Sequence, residues 1–445
     1  MNPVARIKAL LDDPTVKGVL GKGLLALVIK VGAAILSFLM FVVIARAMDE
    51  AEYGRFAIGF SLAITLSVFA NLGLGTAILR FYAQYSSAGQ SQLAHGFVRA
   101  SAAVNLLFPL AVGGLVALGA WGYGMVYPDQ ATGFIYAAAI LLPVVAWSEY
   151  AASSLRAFGY TLHSMAPRDI YWRTLLCLVM LYVITRHIRL DATQVLLLAA
   201  GILLVIVFAQ FMRAAPQFLP AFREPSPQYD YPLWIKTSIP MWGAITLTSA
   251  AQQFDVVVLG FFMSPADAGP YFAALRTANI LSLLLIAGNL ISAPLIAKYH
   301  HNGDHAALRR LVRLLTAAIA LPTLLGLGIL AIIGKPLLGL FNPAFVSAYS
   351  VLLILGVGFT FDAIAGPTGF MLQMIGRERS YLKIMAASYA LTIVLQCLLI
   401  PWFGVYGAAV PNTLGLIFAN LLIVRTVKAT AGFDPSLLGL FARRA

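Results

Sequence analysis

Apolar stretches of about 20 residues or more, each long enough to cross a bilayer core as a helix, recur along the whole sequence with only short polar breaks. Twelve can be counted, with the first beginning near residue 23 and the last ending near residue 427. Hydrocarbon offers backbone N–H and C=O groups no partner, so a chain patterned this way must satisfy them inside its own helices. The balance of residues agrees. With 61% hydrophobic and 11% charged residues, the chain has too little polar sequence to cover a soluble globule of 445 residues. An all-α polytopic membrane protein is expected.

The net charge of +13 invites a nucleic-acid reading, but its placement speaks for topology. With the N-terminus in the cytoplasm, 23 of the 30 Lys and Arg fall in cytoplasmic tails and loops. Arg46, Arg55, Arg186, Arg189 and Lys335 fall outside, and Lys30 and Arg276 lie within spans. Positive residues gather on the cytoplasmic side, so both termini are expected there and no nucleic-acid partner is expected. Arg168 and Arg173, at the start of a fifth span at 168–186, are counted with the cytoplasmic loop charges. Residues 1–22 read as a tail that begins with a short amphipathic helix. Segments 86–100 and 300–315 read as elbow helices in the headgroup region. Cys177 and Cys397 lie in separate apolar spans and imply core packing.

The sequence also repeats itself. VVIARAMDEAEYGRF around Met48 is echoed by VVLGFFMSPADAGPYF around Met263, and Leu72-Gly73 by Ala287-Gly288, at an offset of 215. Leu155-Arg-Ala-Phe-Gly159 is answered by Leu372-Gln-Met-Ile-Gly376. Each half holds six spans and starts on the same side, so the halves are parallel repeats related by an axis along the membrane normal. The expected division is an N-lobe at 23–213, a cytoplasmic Pro-rich linker at 214–233, a C-lobe at 234–428 and a cytoplasmic tail at 429–445.

Chemistry must come from the few charges inside spans. An ionisable residue at mid-bilayer costs about 2.5–3.5 kcal/mol on insertion scales, so it faces a partner or a wet cavity. Asp255 and Arg276 flank the turn at 264–268 at similar depth. They form either a structural ion pair, or an acid for coupling and a cation for an anionic substrate. Lys30 either snorkels to the interface or joins that site. Glu149 and Asp362 either bind a coupling proton or sodium ion or are held by nearby hydroxyls and backbone. Trp242 lies deep enough to line a cavity or pack in the core. No nucleotide, zinc or hydrolase motif occurs, so neither a cofactor nor an enzymatic activity is expected.

The run SFLMFVVIARAMDEAEYGRFAIGFSLAITLSVFANLGLGTAILRFYAQY and its second-half counterpart FDVVVLGFFMSPADAGPYFAALRTANILSLL resemble the polysaccharide biosynthesis and export family. That family includes the Wzx-type oligosaccharide flippases, within the multidrug/oligosaccharidyl-lipid/polysaccharide exporter superfamily. The resemblance implies two six-helix lobes in a V that open alternately to each side. It also implies transport of undecaprenyl-diphosphate-linked oligosaccharide across a bacterial inner membrane for O-antigen, capsule or exopolysaccharide. Membrane lipids, a polysaccharide polymerase and a chain-length regulator are the partners it implies. It maps Asp255 and Arg276 onto an acidic and a basic position of spans seven and eight. The lipid II flippase branch is similar but usually has fourteen spans and a first-span arginine motif, where this chain offers Lys30. A cation-coupled drug or metabolite antiporter of the same superfamily, working through Asp255 and Asp362, is the alternative.

Overall fold

The computed structural model describes residues 14–128, 131–250 and 253–441. Every regular element among them is helical, and the helices run in twelve spans. The first six are Pro14–Arg46; Glu50–Ala70 continued by Leu74–Ser87; Ser91–Val126; Gly133–Ala157; Thr161–Thr185, with a π turn at Pro167–Trp172; and Ala192–Arg223. The seventh is Tyr231–Ala250 with Phe254–Phe262, and the eighth is Pro265–Ala278 and Leu283–His301 joined by a 3-10 turn. The ninth is His305–Phe341. The tenth is Tyr349–Ala365, left through Thr368–Met374. The last two are Glu378–Phe403 and Val405–Ala431. Nine helical stretches among the described residues are long and apolar enough to cross a membrane.

Packing repeats with a step of six spans. Spans two, three and six pack on span four, as eight, nine and twelve pack on ten; span one packs on five as seven packs on eleven. Local geometry repeats too. Asp49 and Ser264 precede their helices in the same extended conformation, φ −72° in both. Gly159 (φ 89°) and Gly376 (φ 77°) end spans four and ten in the left-handed conformation a glycine takes without strain. In both, the next residue's N–H returns to a carbonyl five residues back, Tyr160 to Leu155 and Arg377 to Leu372. This pattern satisfies the last carbonyls of a helix.

The two lobes meet across the repeat axis at the end that carries Met48 and Met263. There Gly54 lies against the Pro265 backbone and Gly269 against the Glu50 carbonyl, positions that correspond under the repeat. A side chain at Gly54 would collide with the Pro265 carbonyl, so the helices approach this closely only because the residue has none. Tyr53, Phe41, Phe272 and Phe345 fill the same junction, with Phe41 and Phe272 edge-to-face at 5.1 Å. Such pairs add about 0.5–1.5 kcal/mol beyond the area they bury. Arg46 donates from Nε to the Leu340 carbonyl at 2.5 Å, which satisfies a carbonyl at the end of span nine.

Several details differ from the sequence reading. Segments 86–100 and 300–315 are not separate elbow helices: short turns at 88–90 and 302–304 lead straight into spans three and nine. The helices restart at Ser91 and His305 because Gly89 (φ 70°) and Gly303 (φ 69°) take the turn conformation, and nothing breaks the pattern after them. Leu72-Gly73 does interrupt span two, with φ 51° and 70°, whereas Ala287-Gly288 lies inside a regular helix and span eight is interrupted earlier, at Asn279–Ser282. The first span starts at Pro14 rather than near residue 23, and the rest of the tail expected to hold a short amphipathic helix, residues 1–13, lies outside the described residues.

The linker is short and docked. Helix six runs to Arg223, and residues 224–230 lie on the start of span three. The Gln228 N–H donates to the Gln92 carbonyl at 3.2 Å, and Arg99 donates to the carbonyls of Ala221, Phe222 and Glu224. Trp234 then donates to the Tyr85 hydroxyl at 2.9 Å. The first half of span seven is thus attached to the N-lobe.

Candidate functional site

Spans one, five and eight enclose a cavity of about 350 Å³. Lys30, Ala34, Ser37 and Phe41 face it at helical spacing from span one, and the small residues among them leave the space. Asp169 and Arg173 enter from span five, and Arg276 and Asn279 from span eight. Asp169 holds two of the cations. Its Oδ2 lies 3.0 Å from Lys30 Nζ, and its Oδ1 and carbonyl accept from Arg173 Nη1 at 3.3 and 2.8 Å.

Arg276 is held differently. Its guanidinium lies over Phe272 and Phe41, 4.4 and 4.9 Å from the ring centroids, and Nη2 donates to Gln253 Oε1 at 2.9 Å. Arginine has five N–H donors in a planar fork, and here Nε is buried without an acceptor. Among the described residues this cavity's lining carries three cations and one carboxylate, a formal surplus of two positive charges. An anion with several acceptor oxygens fits that surplus, because paired N–H donors suit phosphate geometry.

Asp255 does not pair with Arg276 among the described residues. Its carboxylate accepts from Tyr271 Oη at 2.6 Å, Asn412 Nδ2 at 2.9 Å and the Val256 N–H at 2.9 Å. Asp362 accepts from Asn420 Nδ2 at 2.9 Å. The two carboxylates line a second cavity of about 370 Å³ within the C-terminal half, together with Tyr381, Tyr389, Gln396 and Asn412. Glu149 is in neither cavity lining and pairs with Arg168. Trp242 is also in neither lining. Its ring packs tilted at 56° against Phe69, centroids 5.0 Å apart, and it donates from Nε1 to the Phe69 carbonyl at 2.8 Å, which ties span seven to span two.

Arg168, Asp169 and Arg173 escaped the sequence reading, which began span five at residue 168 and counted both arginines as loop charges. The helix starts at Thr161 and carries all three inward. A signal was present: a fifth span of only 168–186 is short beside its neighbours, and extending it takes in Pro167-Arg-Asp-Ile-Tyr-Trp-Arg173.

The family described as polysaccharide biosynthesis protein matches residues 19–300, more than half of the chain. Over 188 residues the chain is 30% identical to the probable flippase AglR of Haloferax volcanii, a match that covers 41% of this chain and 39% of that one. Among solved structures, an inward-facing multidrug-resistance MATE transporter of the MOP superfamily superposes with a TM-score of 0.71 at 11% identity, covering 91% of this chain and 98% of that one. The lipid II flippase MurJ in an inward closed conformation gives 0.63 at 14% identity, covering 93% and 90%. These two neighbours are a transporter and a flippase, and this chain shares their fold over nearly its whole length. The chain is a multi-pass membrane protein that belongs to the polysaccharide biosynthesis protein family.

Proposed function

We propose that this protein is a flippase for polyprenyl-diphosphate-linked oligosaccharides, with Lys30, Arg173 and Arg276 compensating the diphosphate. The observation that carries this reading is the convergence of three cations on one cavity with a single carboxylate among the described residues that line it. A charged, sugar-bearing headgroup loses its hydration in hydrocarbon, and a basic wet cavity offsets that loss while the prenyl tail stays in lipid. In the fuller form of this reading, undecaprenyl diphosphate is the carrier. The membrane is then a bacterial inner membrane with both chain termini cytoplasmic, and the glycan feeds O-antigen, capsule or exopolysaccharide synthesis beside a polymerase and chain-length regulator. Lobe movement about 23–213 and 234–428 supplies alternating access, and Trp242 is assigned to the seam between lobes rather than to sugar contact.

The test is surface polysaccharide in a strain lacking the protein, with lipid-linked intermediates assayed in the membrane. Loss of polysaccharide with accumulation of a single-unit intermediate facing the cytoplasm is the expected result. Normal polysaccharide and normal intermediates would sink the reading. A second reading, a cation-coupled antiporter, is favoured by the placement of Asp255 and Asp362 in one cavity apart from the basic site. Restored cation efflux, with polysaccharide unaffected, is the result that would select it.

A further inference from the structure

We infer that Asp169 is a tethered stand-in for the anion of the substrate: it neutralises Lys30 and Arg173 and yields them to the incoming phosphate. This rests on the reading of the basic cavity as the headgroup site. Asp169 is the carboxylate in that cavity's lining, and it holds two of the three cations there at hydrogen-bond distance. The third cation, Arg276, has no carboxylate on it among the described residues, and its buried Nε has no acceptor among them. The cations are therefore held unequally. One carries no carboxylate among the described residues, and two are held by a residue that repels an incoming anion.

The backbone holds Asp169 in this place. It sits in the π turn Pro167–Trp172, a widened helical turn that is frequent at functional sites. Both ends of the turn are anchored to other spans. Arg168 pairs with Glu149 of span four, and Trp172 Nε1 donates to the Ala199 carbonyl of span six at 3.0 Å. A carboxylate fixed by its backbone cannot follow Lys30 if Lys30 swings to a phosphate, whereas the long lysine stem moves freely. Arg173, four residues on from Asp169, keeps its bond to the Asp169 carbonyl and so can turn its remaining donors to the ligand without leaving the helix.

The consequence is a limit on affinity that favours release. Uncompensated cations would bind a diphosphate too tightly to let it go on the far side, and a resident carboxylate competes for them at every cycle. Asp169→Asn removes the competitor while keeping the side chain's size. The measurements are binding of farnesyl diphosphate to the purified full-length protein, and flipping of a fluorescent prenyl diphosphate in proteoliposomes. Asp169→Asn and Asp169→Ser are each expected to bind about tenfold more tightly, the scale of one charge contact removed from the site, and to flip more slowly at saturation. In a Lys30→Gln background the gain should shrink, since one of the two held cations is gone.

A purely structural Asp169 predicts the opposite, weaker binding and slower flipping together, and that result overturns the proposal. Binding that is lost in Arg276→Gln but unchanged in both Asp169 variants also overturns it, and leaves the headgroup site standing. If farnesyl diphosphate binds neither the unmodified protein nor any variant, the headgroup reading itself fails.

Discussion

The two cavities are nearly equal in volume, about 350 and 370 Å³, yet one is rich in cations and the other carries Asp255 and Asp362. The scaffold around them is duplicated and the charges are not. At the repeat offset of 215, Asp255 and Arg276 correspond to Met40 and Ser61; at the offset of 217 set by Gly159 and Gly376, Asp362 corresponds to Val145. Met40 and Val145 are buried, so the N-lobe packs side chains where the C-lobe sets the two carboxylates of its acidic cavity, and a buried serine, Ser61, stands where Arg276 joins the basic one. In the other direction, Asp169 and Arg173 correspond to Ala386 and Ala390. A duplicated helical frame therefore fixes where cavities can form, and unpaired substitutions decide which ion each one suits.

The sharpest way to break this division is charge reversal in the basic cavity. Arg276→Glu changes the local balance by two charges and places a carboxylate between Phe41 and Phe272, where the guanidinium now lies. Loss of flipping and about 100-fold weaker farnesyl diphosphate binding are expected, with the protein still present in the membrane. Near-normal binding in this variant would mean that the cations serve structure alone. Neutralising the other cavity should separate the roles. Asp255→Asn with Asp362→Asn is expected to leave farnesyl diphosphate binding within about twofold, because these side chains do not line the basic cavity. Ion-gradient-driven flipping should fall about tenfold or more. If binding falls with it, the two cavities act as one site and the contrast dissolves.

The fold was largely legible in the sequence because hydrocarbon imposes one rule on every span, and apolar length records it. The Gly159 and Gly376 stops were legible because a left-handed helix end demands glycine and leaves the same five-residue echo. The partners of the buried charges were not. Asp255 and Arg276 sit at similar depth, which suggested a pair, but depth says nothing about azimuth, and the carboxylate turned to Tyr271 and Asn412 instead. Lys30 was recognised without Asp169 because their contact joins residues 139 apart. The positive-inside count also absorbed Arg168 and Arg173 at a helix start, where loop and span charges look alike.

The junction that holds the two regions together gives a smaller but sharper test. Gly54→Val places a branched side chain against the Pro265 carbonyl, so the lobes must part at the Met48 and Met263 end or the protein must misfold. Cysteines introduced at exposed positions beside this junction should become more reactive in the variant, while farnesyl diphosphate binding falls as the basic cavity loses its closed wall. Unchanged reactivity in a correctly folded variant would show that the contact is not an obstacle to opening.

The smallest effect is expected at the other seam. Trp242→Phe keeps an aromatic ring on Phe69 and removes one hydrogen bond to its carbonyl, which retains the Leu72 N–H at 3.3 Å. No acceptor is left bare, so the cost is that of a single ordinary hydrogen bond, about 1 kcal/mol. If this bond breaks when spans two and seven separate, the closed form of the seam loses about fivefold in population, readable as a distance distribution between spin labels on the two spans. Sugar stacking at Trp242 would instead show as weaker binding of a glycosylated prenyl diphosphate with farnesyl diphosphate binding unchanged. That outcome would extend the headgroup site across the seam and would join to the basic cavity a residue that the geometry holds against Phe69.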